Sequence, residues 1–275
     1  MMKNKSTWLG LPLLLLLVLA LAVPVRAEEA FPLRAKFPGV TPISTDDLAA
    51  KYDSATIVDV RSKMEFEVIH VSKALYIPVS TADFLKLLEK KTDKSGKSPL
   101  VFYCNGIHCA KSYEAAEQAE TAGFKNVFCY DAGVLEWTKR FPDKAAILGK
   151  TPAPPGKLIS KADFDKRRLA FADFKTRALS QNAVVIDMRD PAQRVKEANL
   201  PQSKEVLLPG TRSIPGDRLV ELIGKNEFKG KTLLIFDAVG KQVQWLQYYL
   251  DEHGYKDYAF LKDGVLSAVE AGAVK

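Results

Sequence analysis

The sequence predicts an α/β fold in two successive copies, each copy a parallel sheet flanked by helices. Three observations predict it. Short Val- and Ile-rich runs alternate with segments of helical spacing, the pattern of strand–helix–strand units that build parallel sheets. Four sequence blocks of the first half recur in the same order in the second. Between the two sets lies a proline-rich stretch, residues 150–157 (KTPAPPGK), which reads as an extended, stiff linker.

The first feature in chain order belongs to neither copy. Lys3 and Lys5 precede an apolar run over residues 8–25, and Val25 and Ala27 place small residues ahead of Glu28. That is the layout of a secretory signal peptide over residues 1–27. The run is nearly long enough to be an uncleaved membrane anchor, but Pro24 and the well-placed Ala27 favour cleavage. No later segment is apolar enough to span a bilayer, so no membrane contact is expected after cleavage. The formal charge of +7 loses the basic residues Lys3, Lys5 and Arg26 with the signal. What remains is a modest surplus spread along the chain, without the basic patch interleaved with aromatics that a nucleic-acid interface needs.

The repeat carries the domain organisation. Residues 123–135 (GFKNVFCYDAGVL) align without gaps on residues 254–266 (GYKDYAFLKDGVL). Residues 100–104 (LVFYC) match 233–237 (LLIFD), 57–61 (IVDVR) match 185–189 (VIDMR), and Ile43-Ser44 match Ile159-Ser160. In each copy the serine reads as a helix N-cap with Asp in the following turn. Residues 55–60, 100–103, 183–188 and 233–236 have the length and Val/Ile content of buried parallel strands. Residues 112–122 and 242–253 have helical spacing and stop at Gly123 and Gly254, natural C′ residues. The expected domains are therefore 28–149 and 158–275, joined by 150–157. The changing offsets between matched blocks make the loop after Cys104 two residues longer than its counterpart after Asp237.

Cys104 ends a hydrophobic strand and is followed by a short loop and a helix. With Asp59-Val-Arg61, Glu65-Phe-Glu67, His70-Val71, Ala74, Ile77-Pro78, Gly123-Phe124, Gly133 and Trp137, this pattern resembles the rhodanese family, in both copies and more strongly in the first. Ile69 departs from it, standing where the family usually has Gly before His. The resemblance implies capture of a sulfane sulfur on Cys104 as a persulfide and its delivery to a thiophilic acceptor, which is covalent catalysis in two steps. It also implies a substrate such as thiosulfate or another persulfide donor, a thiol acceptor, and no cofactor. The residues themselves fit a nucleophile. A strand-to-helix turn aims unpaired amides into the loop above the positive end of a helix, a nest that favours a thiolate or a persulfide anion.

The expected active loop is Asn105, Gly106, Ile107, His108, Cys109, Ala110 and Lys111. Gly106 permits the tight backbone. In the helix register Ser112 opens the helix and Lys111 takes the position where the family places Arg, supplying charge without the planar fork. A cysteine-based phosphatase would need Arg six residues after Cys104 to clamp phosphate; Ala110 stands there and excludes that chemistry. His108 either tunes the thiolate or is a solvated loop residue. Cys109 is close enough in sequence for a disulfide with Cys104 if their Cα atoms approach within about 7 Å. Its role stays open between resolving a persulfide, switching or locking the loop, and filling a turn. Cys129, mid-strand, reads as a buried structural thiol. Three histidines, His70, His108 and His253, have no metal-site spacing.

In the second copy Asp237 stands in the cysteine position and Gln242 in the arginine position. An aspartate cannot carry a sulfane sulfur, so this half is expected to be degenerate and to wall the first site. Two functional readings follow. One is an exported sulfurtransferase or sulfur carrier using Cys104; the other is a non-catalytic binding or thiol-redox-sensing module using Cys104 and Cys109. The signal reading makes a separate expectation for the exported protein: its N-terminal sequence begins at Glu28, and a membrane-embedded product starting at Met1 refutes it.

Overall fold

The computed structural model describes residues 31–191, 194 and 200–275, so the expected signal segment lies outside the described residues. The architecture is α/β, with two parallel sheets flanked by helices. In the first half the Ser44 hydroxyl accepts from the Asp47 amide at 3.1 Å and opens α1 (Thr45–Ala50). Then come β1 (Thr56–Asp59), α2 (Lys63–Val68), β2 (Ile69–Val71), β3 (Leu75–Tyr76), α3 (Phe84–Lys91) and β4 (Leu100–Tyr103). They are followed by α4 (Lys111–Thr121), β5 (Val127–Tyr130), α5 (Gly133–Arg140) and β6 (Ala145–Ile147). The sheet order is β3-β1-β4-β5, with Val58 opposite Phe102 and Phe102 opposite Cys129. β4 is buried along its whole length, as its unbroken apolar run requires of a central parallel strand.

The second half repeats the plan with α6 (Lys161–Asp165), β7 (Arg168–Leu169), α7 (Phe171–Ala178), β8 (Ala183–Asp187) and β9 (Arg212–Ser213). After them come α8 (Gly216–Gly224), β10 (Thr232–Phe236), α9 (Val243–Glu252), β11 (Tyr258–Leu261) and α10 (Val265–Glu270). Its sheet runs β7-β11-β10-β8-β9. Ser160 caps α6 through the Asp163 amide at 3.1 Å, as Ser44 caps α1. The largest apolar cluster is shared: Val68, Ile69 and Tyr103 from the first half lie in one buried body with Trp245, Tyr248 and Leu250 from the second. α2 packs directly on α8 and α9.

The proline-rich stretch is docked on the folded body, and one expectation changes in detail. The Lys150 and Ile147 backbones exchange two 3.0 Å hydrogen bonds, the Ala153 amide donates to Pro142, and Lys150 and Lys157 both reach Glu252, at 2.8 and 3.2 Å. Ser112 does not open α4. The Cys109 amide bonds back to the Gly106 carbonyl at 2.9 Å and Ala110 already has helical dihedrals, so the helix starts at Lys111 and Ser112 is buried one residue in. The loop is then one residue longer than its counterpart before Val243, and the second extra residue lies in the helix, which has 11 residues against 10.

Two glycines set how closely the loops after successive strands approach. At Gly133 (φ +80°) a Cβ would lie 2.3 Å from the Gly106 nitrogen; at Gly264 (φ +58°) one would lie 2.3 Å from the Asp237 carbonyl oxygen. Gly133→Ala is expected to cost roughly 2–3 kcal/mol of stability. Gly149→Ala, at φ +74° with nothing within 4 Å of its Cβ, should cost only the left-handed penalty of about 1 kcal/mol. Urea unfolding of both variants checks the difference, and equal losses would remove the close-approach argument.

Candidate functional site

The site is built outward from the end of β1. Asp59 and Arg61 form a fully buried ion pair, with Nη2 2.7 Å and Nε 3.0 Å from the two carboxylate oxygens. Burial disfavours the guanidinium charge, and the Asp59 carboxylate outweighs that, so the Arg61 pKa is raised. A buried cation needs every N–H matched. Arg61 Nη2 also donates to the Ile69 carbonyl, and Nη1 donates to Asn105 Oδ1 at 3.0 Å. Asn105 Nδ2 in turn donates to Glu65 Oε1 at 2.6 Å. Glu65 Oε2 accepts from the Ser62 amide and hydroxyl at 3.0 and 2.8 Å, closing a capping box at the start of α2. Both ends of the Asn105 amide are thus held, which fixes the residue that follows Cys104. The Arg61 guanidinium also lies over the Trp245 ring, 5.2 Å from its centroid.

Cys104 and Cys109 are joined by a disulfide across the loop, with Cα atoms 6.2 Å apart. Cys104 is 1% exposed, whereas Cys109 is half-buried. Gly106 has φ +148° and His108 is exposed. The Cys104 carbonyl accepts from the Val134 amide at 3.1 Å, which ties the loop to the start of α5. Cys129 is a buried free thiol, and burial pushes its pKa up to about 12. His70 is used structurally, with Nδ1 2.8 Å from the Phe66 carbonyl and its ring stacked on Phe66.

The matching loop of the second half shows what such a backbone holds. The buried Asp237 carboxylate accepts four backbone N–H bonds, from Val239 at 2.9 Å, Gly240, Gln242, and Val243 at 3.0 Å. Burial raises its pKa, and the same four amides pull the other way. The Val265 amide donates to the Asp237 carbonyl at 3.0 Å, as Val134 does to Cys104. The strand-to-helix loop after β10 is therefore an anion nest. The two loops face each other across a cavity of about 570 Å³, walled by residues 105–111, Glu65 and Leu135 on one side and by residues 237–239, 241–242, Gln244 and Trp245 on the other. The cavity has the size of an organic-ligand site.

Comparison with known proteins agrees with this geometry in the first half. Residues 44–140 match the family model of the rhodanese-like domain. The chain carries a rhodanese-like domain. The domain starts at Ser44, the N-cap of α1, ends at Arg140, the last residue of α5, and contains Asp59, Arg61, Glu65, Asn105 and both bridged cysteines. The chain is similar to the HTH-type transcriptional regulator Rv0324 of Mycobacterium tuberculosis, 33% identical over 82 residues, which cover 30% of this chain and 34% of that protein. It is also similar to the tRNA uridine(34) hydroxylase of Sodalis glossinidius, 33% identical over 96 residues, covering 34% and 26%. The chain thus spans a quarter to a third of the length of these curated relatives. Among solved structures it resembles a thiosulfate sulfurtransferase from Pseudomonas aeruginosa, at 20% identity over 86% of this chain and 43% of that one with a TM-score of 0.39.

The sequence places residues 105–111 in one loop, and the structure puts all of them on the cavity wall. What sequence reasoning missed is the clamp on that loop. Asp59, Arg61 and Glu65 stand in the sequence only as parts of the rhodanese-like pattern, and the Ser62-x-x-Glu65 capping box was the one local signal. Trp245, Lys241 and Gln244 come from the other half and carried no signal at all.

The rhodanese-like domain's clamp makes an acid-stability prediction. Burial alone would push the Glu65 carboxyl up, but Arg61, Lys111, Asn105 and Ser62 hold it below its usual value of 4.5. Its stabilisation is complete above that unfolded-state value and is lost as the pH falls through the lower folded one. Glu65→Gln should cost about 1–3 kcal/mol near pH 7 and flatten the acid limb of stability. Urea unfolding between about pH 3 and 7 checks it; an unchanged acid limb would overturn it.

Proposed function

We propose that the chain is a sulfurtransferase or sulfur carrier that forms a persulfide on Cys104. Its C-terminal half is then a second rhodanese-like copy that has exchanged the sulfur-carrying residue for Asp237, and the protein is exported to the periplasm or beyond after loss of residues 1–27. The observation that carries the catalytic reading is the pair of equivalent loops: one folds four amides around the Asp237 carboxylate, and Cys104 begins the other at the same place after a central strand. A persulfide, Cβ–Sγ–S⁻, carries its negative charge two bonds from Cβ, as the aspartate Cβ–Cγ–O⁻ does, and the longer loop after Cys104 leaves room for the larger sulfur atoms.

In this reading the Cys104 thiolate attacks the sulfane sulfur of thiosulfate, forming Cys104–S–S⁻ and releasing sulfite. An acceptor thiolate then takes the outer sulfur and regenerates the Cys104 thiolate. When no acceptor arrives, the Cys109 thiolate attacks Sγ of the protonated persulfide, expels hydrosulfide and leaves the Cys104–Cys109 disulfide. The disulfide in the structure also favours a second reading, a thiol-redox-sensing module without sulfur transfer.

The two readings separate on intact mass. The protein reduced with a phosphine, freed of reductant and incubated with thiosulfate, should gain the mass of one sulfur on the peptide containing Cys104. Cys104→Ser should gain none and lose sulfite production. Near-normal turnover by Cys104→Ser, or sulfur found only on Cys109, would refute the assignment.

A further inference from the structure

The two sulfurs of the disulfide are not equivalent. Cys104 is 1% exposed and sits among Val60, Phe102 and Tyr113 in the core of the first half. Cys109 is half-buried, and it is the bridged cysteine that lines the 570 Å³ cavity between the two loops. A thiolate opens a disulfide by attacking one sulfur in line with the bond and expelling the other. From the cavity the sulfur within reach is that of Cys109, so the sulfur expelled is that of Cys104. It would leave at the mouth of a strand-to-helix loop, ahead of the 11-residue helix α4. There the helix end and loop amides favour a negative charge, as the Asp237 carboxylate illustrates in the equivalent loop. Attack and departure are therefore both favoured in one direction only.

The cavity wall also defines what would enter. Trp245, Leu135 and Ile107 supply apolar surface, and Lys111 and Lys241 supply positive charge. The two carboxylates on the wall are already engaged, Glu65 by Asn105 and Ser62 and Asp237 by its four amides. An organic thiol with an apolar body and a carboxylate matches this lining, and the space exceeds what an inorganic sulfur anion fills.

We propose that the oxidised protein is a thiol–disulfide exchanger, which takes carboxylate-bearing organic thiols with an apolar body into the cavity between its two loops and forms the mixed disulfide on Cys109. In the first step RS⁻ attacks Cys109 Sγ, the S–S bond breaks, and its electron pair leaves on Cys104 as a thiolate. In the second, another RS⁻ attacks the sulfur of R in the mixed disulfide, releasing RSSR and the Cys109 thiolate. Two thiolates are oxidised to one disulfide, and the protein disulfide is reduced to two thiolates. This activity needs no sulfane sulfur and is distinct from persulfide transfer.

The test uses the full-length oxidised protein with 2-mercapto-3-phenylpropanoate, with 2-mercaptoethanol as the neutral comparison, each quenched with excess iodoacetamide and mapped by peptide mass. The expected trapped species carries the aromatic thiol on Cys109 and the alkyl group on Cys104. The rate ratio of the aromatic carboxylate to 2-mercaptoethanol should fall about two- to fivefold in each of Lys111→Gln and Lys241→Gln. Trapping of the thiol on Cys104, an even division between the cysteines, or a rate ratio unchanged in both lysine variants would overturn the proposal. Because no sulfur donor is present, failure here leaves persulfide loading of reduced Cys104 standing, and failure of that loading leaves this result standing.

Discussion

Arg61 is a guanidinium with no exposed side-chain surface, and a charge in that position obliges its surroundings to supply acceptors. Asp59 supplies two at the end of β1, Ile69 supplies a carbonyl where α2 runs into β2, and Asn105 supplies a side-chain oxygen from the loop after β4. Three separate stretches of chain are thereby brought to one point. The loop that carries the cysteines does not choose its own conformation; it completes the coordination of a buried cation. The buried Asp–Arg pair recurs as Asp187–Arg189, with Arg189 Nη1 donating to the Lys204 carbonyl at 3.0 Å.

The two loops facing the cavity are variations on one backbone that hold different chemistry. At Asp237 the carboxyl belongs to the side chain itself and its four amide partners are built in. At Cys104 a negative charge exists only once the disulfide is opened to a thiolate, and the disulfide itself is neutral. One loop is therefore a fixed wall of the cavity and the other is the wall whose charge depends on its oxidation state. Trp245, reaching from α9 over Arg61, links the fixed side to the clamp behind the variable one.

Much of the fold was legible because it is written locally. The serine caps Ser44 and Ser160, the unbroken apolar runs of β4 and β10 and the stops at Gly123 and Gly254 each depend on a few adjacent residues. The start of α4 was misplaced by one residue because Ser112 has the chemistry of a cap, while the turn from Gly106 to Cys109 made a cap unnecessary. The role of Asp237 was read as a loss, since a sequence shows the missing sulfur but not the four amides that enclose a carboxylate. The unequal burial of Cys104 and Cys109 was also out of reach, because it depends on which side of the loop meets the second half. Lys241 and Trp245 stand more than 130 positions from Cys104 in the chain, and no spacing rule connects residues that far apart.

The shared apolar cluster has a consequence for how such a molecule can change over time. Ile69 and Tyr103 lie in the same buried body as Trp245 and Tyr248, and the connecting stretch is pinned to α9 through Glu252. Deleting the half that carries Asp237 would expose the interior of the half that carries Cys104. The half with Asp237 could then not be discarded, and selection on it would act through solubility and folding yield. Its loop would be free to drift in sequence so long as it kept a buried anion for the amides and a flat face toward its neighbour.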